Sequence, residues 1–113
     1  MVTEDYVSFE TAKLLKEKGF NERTNMPHID DYQRLVCYIP TLQMAMKWLR
    51  EEHNIAISVY VFNRDLPIKE NGIRYTCDIA TTKISSKEGH LRLTGTYEQV
   101  CEAAIKYCLE NLI

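Results

Sequence analysis

The change of hydrophobic period at Asn54 constrains the fold of this chain more than any other feature. From Leu42 to His53, the residues Leu42, Ala45, Met46 and Leu49 fall at i, i+3, i+4 and i+7, which is one face of a helix. Directly after Asn54, the run Ile55-Ala56-Ile57-Ser58-Val59-Tyr60-Val61-Phe62 alternates residue by residue, the period of a strand. Ile55, Ile57, Val59 and Val61 form its better core face. Helix and strand in immediate succession require a mixed fold.

The elements that follow extend this pattern. Asn63 to Gly72 is a polar connection ending in the turn dipeptide Asn71-Gly72. Ile73 to Thr82 reads as a second strand with Ile73, Tyr75, Cys77 and Ile79 on one face, so the two strands are expected to form an antiparallel hairpin. A third, shorter strand fits around Ile84 or across Leu91-Arg92-Leu93, set off by a turn at Lys87-Glu88-Gly89. Thr96 caps the last helix, and Gln99 completes a capping box with it. Val100, Ala103, Ala104, Tyr107 and Cys108 line one side of that helix, and Glu98, Glu102, Lys106 and Glu110 the other.

Upstream, Ser8 is a good N-cap for a helix from Phe9 to Lys18. Gly19 suits the left-handed position that ends a helix, with Phe20 folding back onto Leu15. The apolar face of this helix (Phe9, Ala12, Leu15) is narrow and needs a neighbour. Asn21 to Tyr38 reads as mostly irregular and is long for a loop, but the short apolar run Leu35 to Ile39 fits either a strand or a buried extended segment. The stretch as a whole is either a functional loop or a hidden element.

The expectation is a single α+β domain over residues 1–113. Residues 1–38 form an N-terminal helix and an irregular arm, and 39–113 form the core. The core is an antiparallel two- to three-stranded sheet with two helices packed on one face, in the order helix, strand, strand, (strand), helix. The N-terminal helix packs at an edge or on another subunit.

At 113 residues, one core is all such a chain can build. Its net charge of -2 comes from interleaved acids and bases, as in Lys47, Arg50, Glu51 and Glu52, which is the pattern of a solvated surface and not of a basic stripe for duplexes. No apolar run approaches the roughly 18 residues of a membrane span, and Met1-Val2-Thr3-Glu4-Asp5 is acidic where a secretory signal is basic. These features predict a cytoplasmic protein. The four cysteines, Cys37, Cys77, Cys101 and Cys108, include no CxxC pair and read as buried or half-buried thiols.

Catalytic signatures are absent: there is no GxSxG, no HExxH and no glycine-rich phosphate loop among only four glycines. His28-Ile29-Asp30-Asp31 has the residue types to hold a divalent ion, but the reading preferred is that Asp30 and Asp31 are turn or capping residues and His28 a solvated loop side chain. Cys37, close to the helix start at Pro40 and Thr41, is the one suggestive nucleophile, and it lacks a partner base. No catalytic residue, metal or cofactor is therefore expected. Met44 and Trp48 form a second row beside the core stripe of their helix. They are either a partner-binding anchor or a surface covered by the first helix or by Leu35 to Ile39.

From the second helix onward the element order resembles the double-stranded RNA-binding domain. Thr96-Tyr97-Glu98-Gln99-Val100-Cys101-Glu102-Ala103-Ala104, followed by Leu109-Glu110 and Leu112, resembles that family's Ala-rich closing helix. That family grips phosphates with lysines at the start of this helix, where the present chain has Glu98 and Glu102. A second resemblance runs through Ser8-Phe9-Glu10-Thr11-Ala12-Lys13-Leu14-Leu15-Lys16-Glu17-Lys18-Gly19-Phe20, Trp48-Leu49-Arg50-Glu51-Glu52-His53-Asn54-Ile55 and Thr96-Tyr97-Glu98-Gln99. These phrases look like those of short uncharacterised proteins carried by phages and prophages of anaerobic gut bacteria, which implies a phage accessory role.

Two functions follow as expectations. The first is a non-enzymatic interaction protein, self-associating or binding another protein, that uses Met44, Trp48 and the N-terminal arm. The alternative is a nucleic-acid-binding module in which Lys83, Lys87 and Arg92 contact phosphates.

Overall fold

Each helix begins where the sequence offers a hydroxyl to the unpaired amides of a first turn. Ser8, Thr41 and Thr96 have extended backbones, and their side chains accept from the N–H of Thr11, Met44 and Gln99 respectively. The Gln99 side chain returns a bond to the Thr96 N–H at 3.1 Å, completing the capping box. A computed structural model describes residues 5–61, 73–81 and 90–113. Their order is α1 (Phe9–Glu17), β1 (Pro27–Ile29), β2 (Leu35–Tyr38), α2 (Leu42–His53), β3 (Ile55–Val61), β4 (Tyr75–Thr81), β5 (His90–Gly95) and α3 (Tyr97–Asn111). The class is α+β.

Helix ends follow the sequence as closely as helix starts. Gly19 sits at φ +108°, the Phe20 N–H reaches the Leu15 carbonyl at 2.9 Å, and the Gly19 N–H reaches that of Lys16 at 3.1 Å. These are the two bonds of a Schellman closure. Asn54 ends α2 in the left-handed region at φ 54°, which turns the chain directly into β3.

β3, β4 and β5 form an antiparallel sheet in that order, so the third strand exists and occupies His90–Gly95. β3 and β4 pair without interruption from Ile55↔Thr81 to Val61↔Tyr75. α2 and α3 pack against each other and against the sheet face that carries Ile55, Ile57, Val59, Cys77 and Ile79. Leu15, Leu49, Ile55, Ile105 and Leu109 are wholly buried between these layers. The turns read at Asn71-Gly72 and Lys87-Glu88-Gly89, and the position of Ile84, lie outside the described residues. Ile73 precedes β4 and is exposed.

The arm expected to be irregular contains a hairpin. β1 and β2 pair antiparallel through Pro27↔Tyr38 and His28↔Cys37. Asp30 builds the turn between them: its Oδ1 accepts from the N–H of Tyr32 at 2.8 Å and of Arg34 at 2.9 Å, and Gln33 takes a left-handed φ of 64°. The apolar run at Leu35 is the second strand of this hairpin, whereas β1, three residues long and with a register shift, is too short to display a period and reads as loop.

α1 lies against α3 of its own chain, and Glu102 makes the junction. Read as part of the solvent side of α3, Glu102 is instead half-buried and turned toward the start of α1. Its Oε1 accepts from the Ser8 N–H at 3.0 Å and from the Thr11 hydroxyl at 2.7 Å. A carboxylate there also meets the positive end of the α1 dipole. With neighbours on two sides, the buried face of α3 becomes Val100, Cys101, Ala104, Ile105, Cys108 and Leu109, while Ala103 and Tyr107 are half-buried. Glu102→Ala, which removes the acceptor for the buried Thr11 hydroxyl proton and for the Ser8 N–H, is expected to cost about 1–3 kcal/mol. Glu102→Gln keeps an acceptor and should cost less; urea unfolding of the two variants checks the order.

The segment before α1 is pinned as well. The Val7 N–H donates to the Pro40 carbonyl at 3.1 Å, and the Leu42 N–H to that of Asp5 at 2.9 Å. Among the described residues no helix is long and apolar enough to cross a membrane.

Candidate interaction surface

α2 presents Leu42, Ala45, Met46 and Leu49 to the core, as its period demands, and carries Trp48 beside them. Trp48 is 8% exposed. Its ring meets Phe20 edge-on at 5.7 Å between centroids and His53 at 4.8 Å. The cover therefore comes from the residue that closes α1, and the body of the indole belongs to the hydrophobic core. Met44 is half-buried one turn earlier.

What remains open at this position is a groove of about 180 Å³ lined by Glu22, Met44, Lys47, Trp48, Glu51 and Glu52. Three carboxylates face one ammonium. Lys47 is itself 4.0 Å from Glu51, its neighbour one helical turn on. The groove thus combines an apolar floor, an aromatic edge and a negative rim. Sequence reading placed Met44 and Trp48 here and missed Glu22, which arrives from the chain after α1. Only the α1 closure brings it alongside α2, and no local pattern in the sequence signals that approach.

The other candidate residues are dispersed or engaged. His28 stacks on Phe9 at 3.9 Å between ring centroids. Asp30 is occupied by its turn and lies 3.8 Å from the Arg34 guanidinium. Among the described residues no group of three metal-ligating side chains converges. Cys37 is buried, and burial pushes its thiol up despite the nearby ammonium groups of Lys16 and Lys13. That is the opposite of an activated nucleophile. Cys77, Cys101 and Cys108 are also buried and free. Burial raises the Cys77 thiol, that of Cys101 to about 11 and that of Cys108 to about 12. Lys83 and Lys87 lie outside the described residues; Arg92 falls on β5, with its side chain outside them.

No family model, curated protein or solved structure matches this chain.

Proposed function

We propose that this is a non-enzymatic interaction protein that receives a cationic segment of a partner protein in the groove over Met44 and Trp48. The observation that carries this reading is the acidic rim of Glu22, Glu51 and Glu52 around an aromatic edge. A lysine or arginine side chain can lay its alkyl stem on Met44 and the exposed margin of Trp48 and place its charge among the carboxylates.

Trp48 is the only tryptophan of the chain, so its emission reports on the groove directly. Titration with a short peptide of alternating Arg and Leu is expected to shift that emission saturably, and Glu52→Lys should weaken the binding at least tenfold. An unchanged spectrum up to millimolar peptide, or equal binding by Glu52→Lys, would exclude the groove as a site for cations. Glu52 is exposed, so its replacement leaves the fold in place.

The order α2, β3, β4, β5, α3 favours a second reading, since it is also the order of the double-stranded RNA-binding domain. Glu98 in the first turn of α3 and the engagement of Glu102 with α1 weigh against phosphate binding at that helix. Anisotropy of labelled duplex RNA, measured at low and physiological salt, separates the readings: affinity that falls steeply with salt supports this one, and flat traces remove it.

A further inference from the structure

Among the described residues β3 is an edge of its sheet, and its own sequence lacks the devices that keep most edges single. Ile55–Val61 contains no charged residue and no proline, and its ladder with β4 runs through seven pairs without a bulge. The β1–β2 and β4–β5 ladders, in contrast, both carry register shifts. β4 satisfies one side of β3, and among the described residues no strand lies on the other. In an antiparallel ladder the backbone groups of alternate residues point outward, so about half of the N–H and C=O groups of β3 face away from β4. Apolar exposure follows the same edge: Ile57, Val59 and Val61 are only half-buried, whereas Cys77 and Ile79 on β4 are 0% and 4% exposed.

We propose that β3 pairs antiparallel with β3 of a second copy of this chain, joining two three-stranded sheets into one of six strands across a two-fold axis at Ser58. The occupant is argued from the strand itself, which is self-complementary about that residue. With Ser58 facing Ser58, Ile57 lies opposite Val59 and Ile55 opposite Val61, so the apolar side chains of both copies fall on the helix-covered face. On the open face, Ala56 lies opposite Tyr60, a small residue across from a large one. Ala56 pairs with Ala80 in its own sheet, and together with Arg50 and Asn54 they border a shallow depression. Tyr60, 42% exposed, is the side chain that the second copy would set over it. A two-fold axis at any other residue leaves part of the seven-residue strand unpaired. One strand junction is small beside interfaces of roughly 1,600 Å², so the dimer belongs in the micromolar range. This surface is distinct from the groove over Trp48.

Sedimentation equilibrium of the full chain from 1 µM to about 1 mM tests the proposal. A reversible monomer–dimer equilibrium is expected, with Ser58→Lys raising its dissociation constant at least tenfold by placing two ammonium groups across the axis. Ser58 is exposed, and an unchanged melting temperature for the variant confirms that its fold is intact. Register is read by cross-linking. Under mild oxidation Ser58→Cys is expected to give a disulfide dimer, because directly opposed residues have Cα atoms about 4.5–5.5 Å apart, within reach of a disulfide. Ala56→Cys is expected not to, because the two copies of residue 56 would lie four residues apart along the ladder, roughly 13 Å. A monomer throughout the range, a dimer indifferent to Ser58→Lys, or cross-linking at 56 in preference to 58 would each overturn the proposal. Glu52→Lys, which tests the groove, should leave the dimer unchanged.

Discussion

Trp48→Ala will destabilise the whole chain by about 3–5 kcal/mol, the usual consequence of deleting a buried aromatic side chain. Total stabilities of domains this size are about 5–15 kcal/mol, so the variant should melt more than about 10 °C below its parent and lose near-UV circular dichroism early. The size of the effect follows from where the indole lies. It is 8% exposed, in edge-on contact with Phe20 and His53, and it seals the junction between the end of α1 and the outer side of α2. An anchor waiting for a partner would behave differently: its removal would abolish association and leave the melting curve in place. A Trp48→Ala melt within about 2 °C of the parent would therefore take the residue out of the core and restore it as a free binding element. Because a defect at Trp48 mixes stability with binding, variants of the rim (Glu22, Glu51, Glu52) are the cleaner probes of the groove.

The second large effect is chemical and concerns the thiols. With Cys37, Cys77, Cys101 and Cys108 all buried, a disulfide reagent at pH 8 should label the native chain at least about a thousandfold more slowly than the chain in urea, since access requires opening of the fold. Prompt labelling of one thiol would locate a site that opens on its own. The same burial fixes how stability varies with pH. Cys77, Cys101 and Cys108 have folded values above their ordinary 9.0, Cys101 at about 11 and Cys108 at about 12. The unfolded chain thus loses its thiol protons first as pH rises. The stabilising contribution is complete below pH 9 and is lost progressively toward pH 11–12. The urea midpoint should accordingly fall between pH 9 and 11, and a midpoint flat across that interval would show that these groups titrate alike in both states.

Most of the fold was legible wherever a long period or a capping hydroxyl marked an element. Ser8, Thr41 and Thr96, Gly19, and the switch at Asn54 gave the three helices and β3 nearly to the residue. Of the β1–β2 hairpin only the apolar run of β2 was legible as a possible strand; β1 is shorter than one clear period, and the turn that pairs the two depends on the Asp30 side chain. The inward turn of Glu102 was not legible: acid at i, i+4 spacing along α3 looks like a solvated face until α1 is placed over it. The candidate site divides in the same way. Met44 and Trp48 stand out as an apolar row too wide for one contact, but the identity of the cover, Phe20, and the approach of Glu22 depend on how α1 closes. Tertiary placement of that kind leaves no local trace.

The bonds between α1 and Glu102 join residues as many as 94 positions apart in the chain. During synthesis at about 5–20 residues per second, α1 leaves the ribosome roughly 5–20 seconds before the helix it docks on. Throughout that interval the start of α1 lacks its Glu102 acceptor, although Phe20 can meet Trp48 as soon as α2 has emerged. The nascent chain is therefore exposed to chaperones and proteases at this junction until α3 appears. Destabilising changes at this junction should lower cellular yield by more than their effect on the purified protein would suggest.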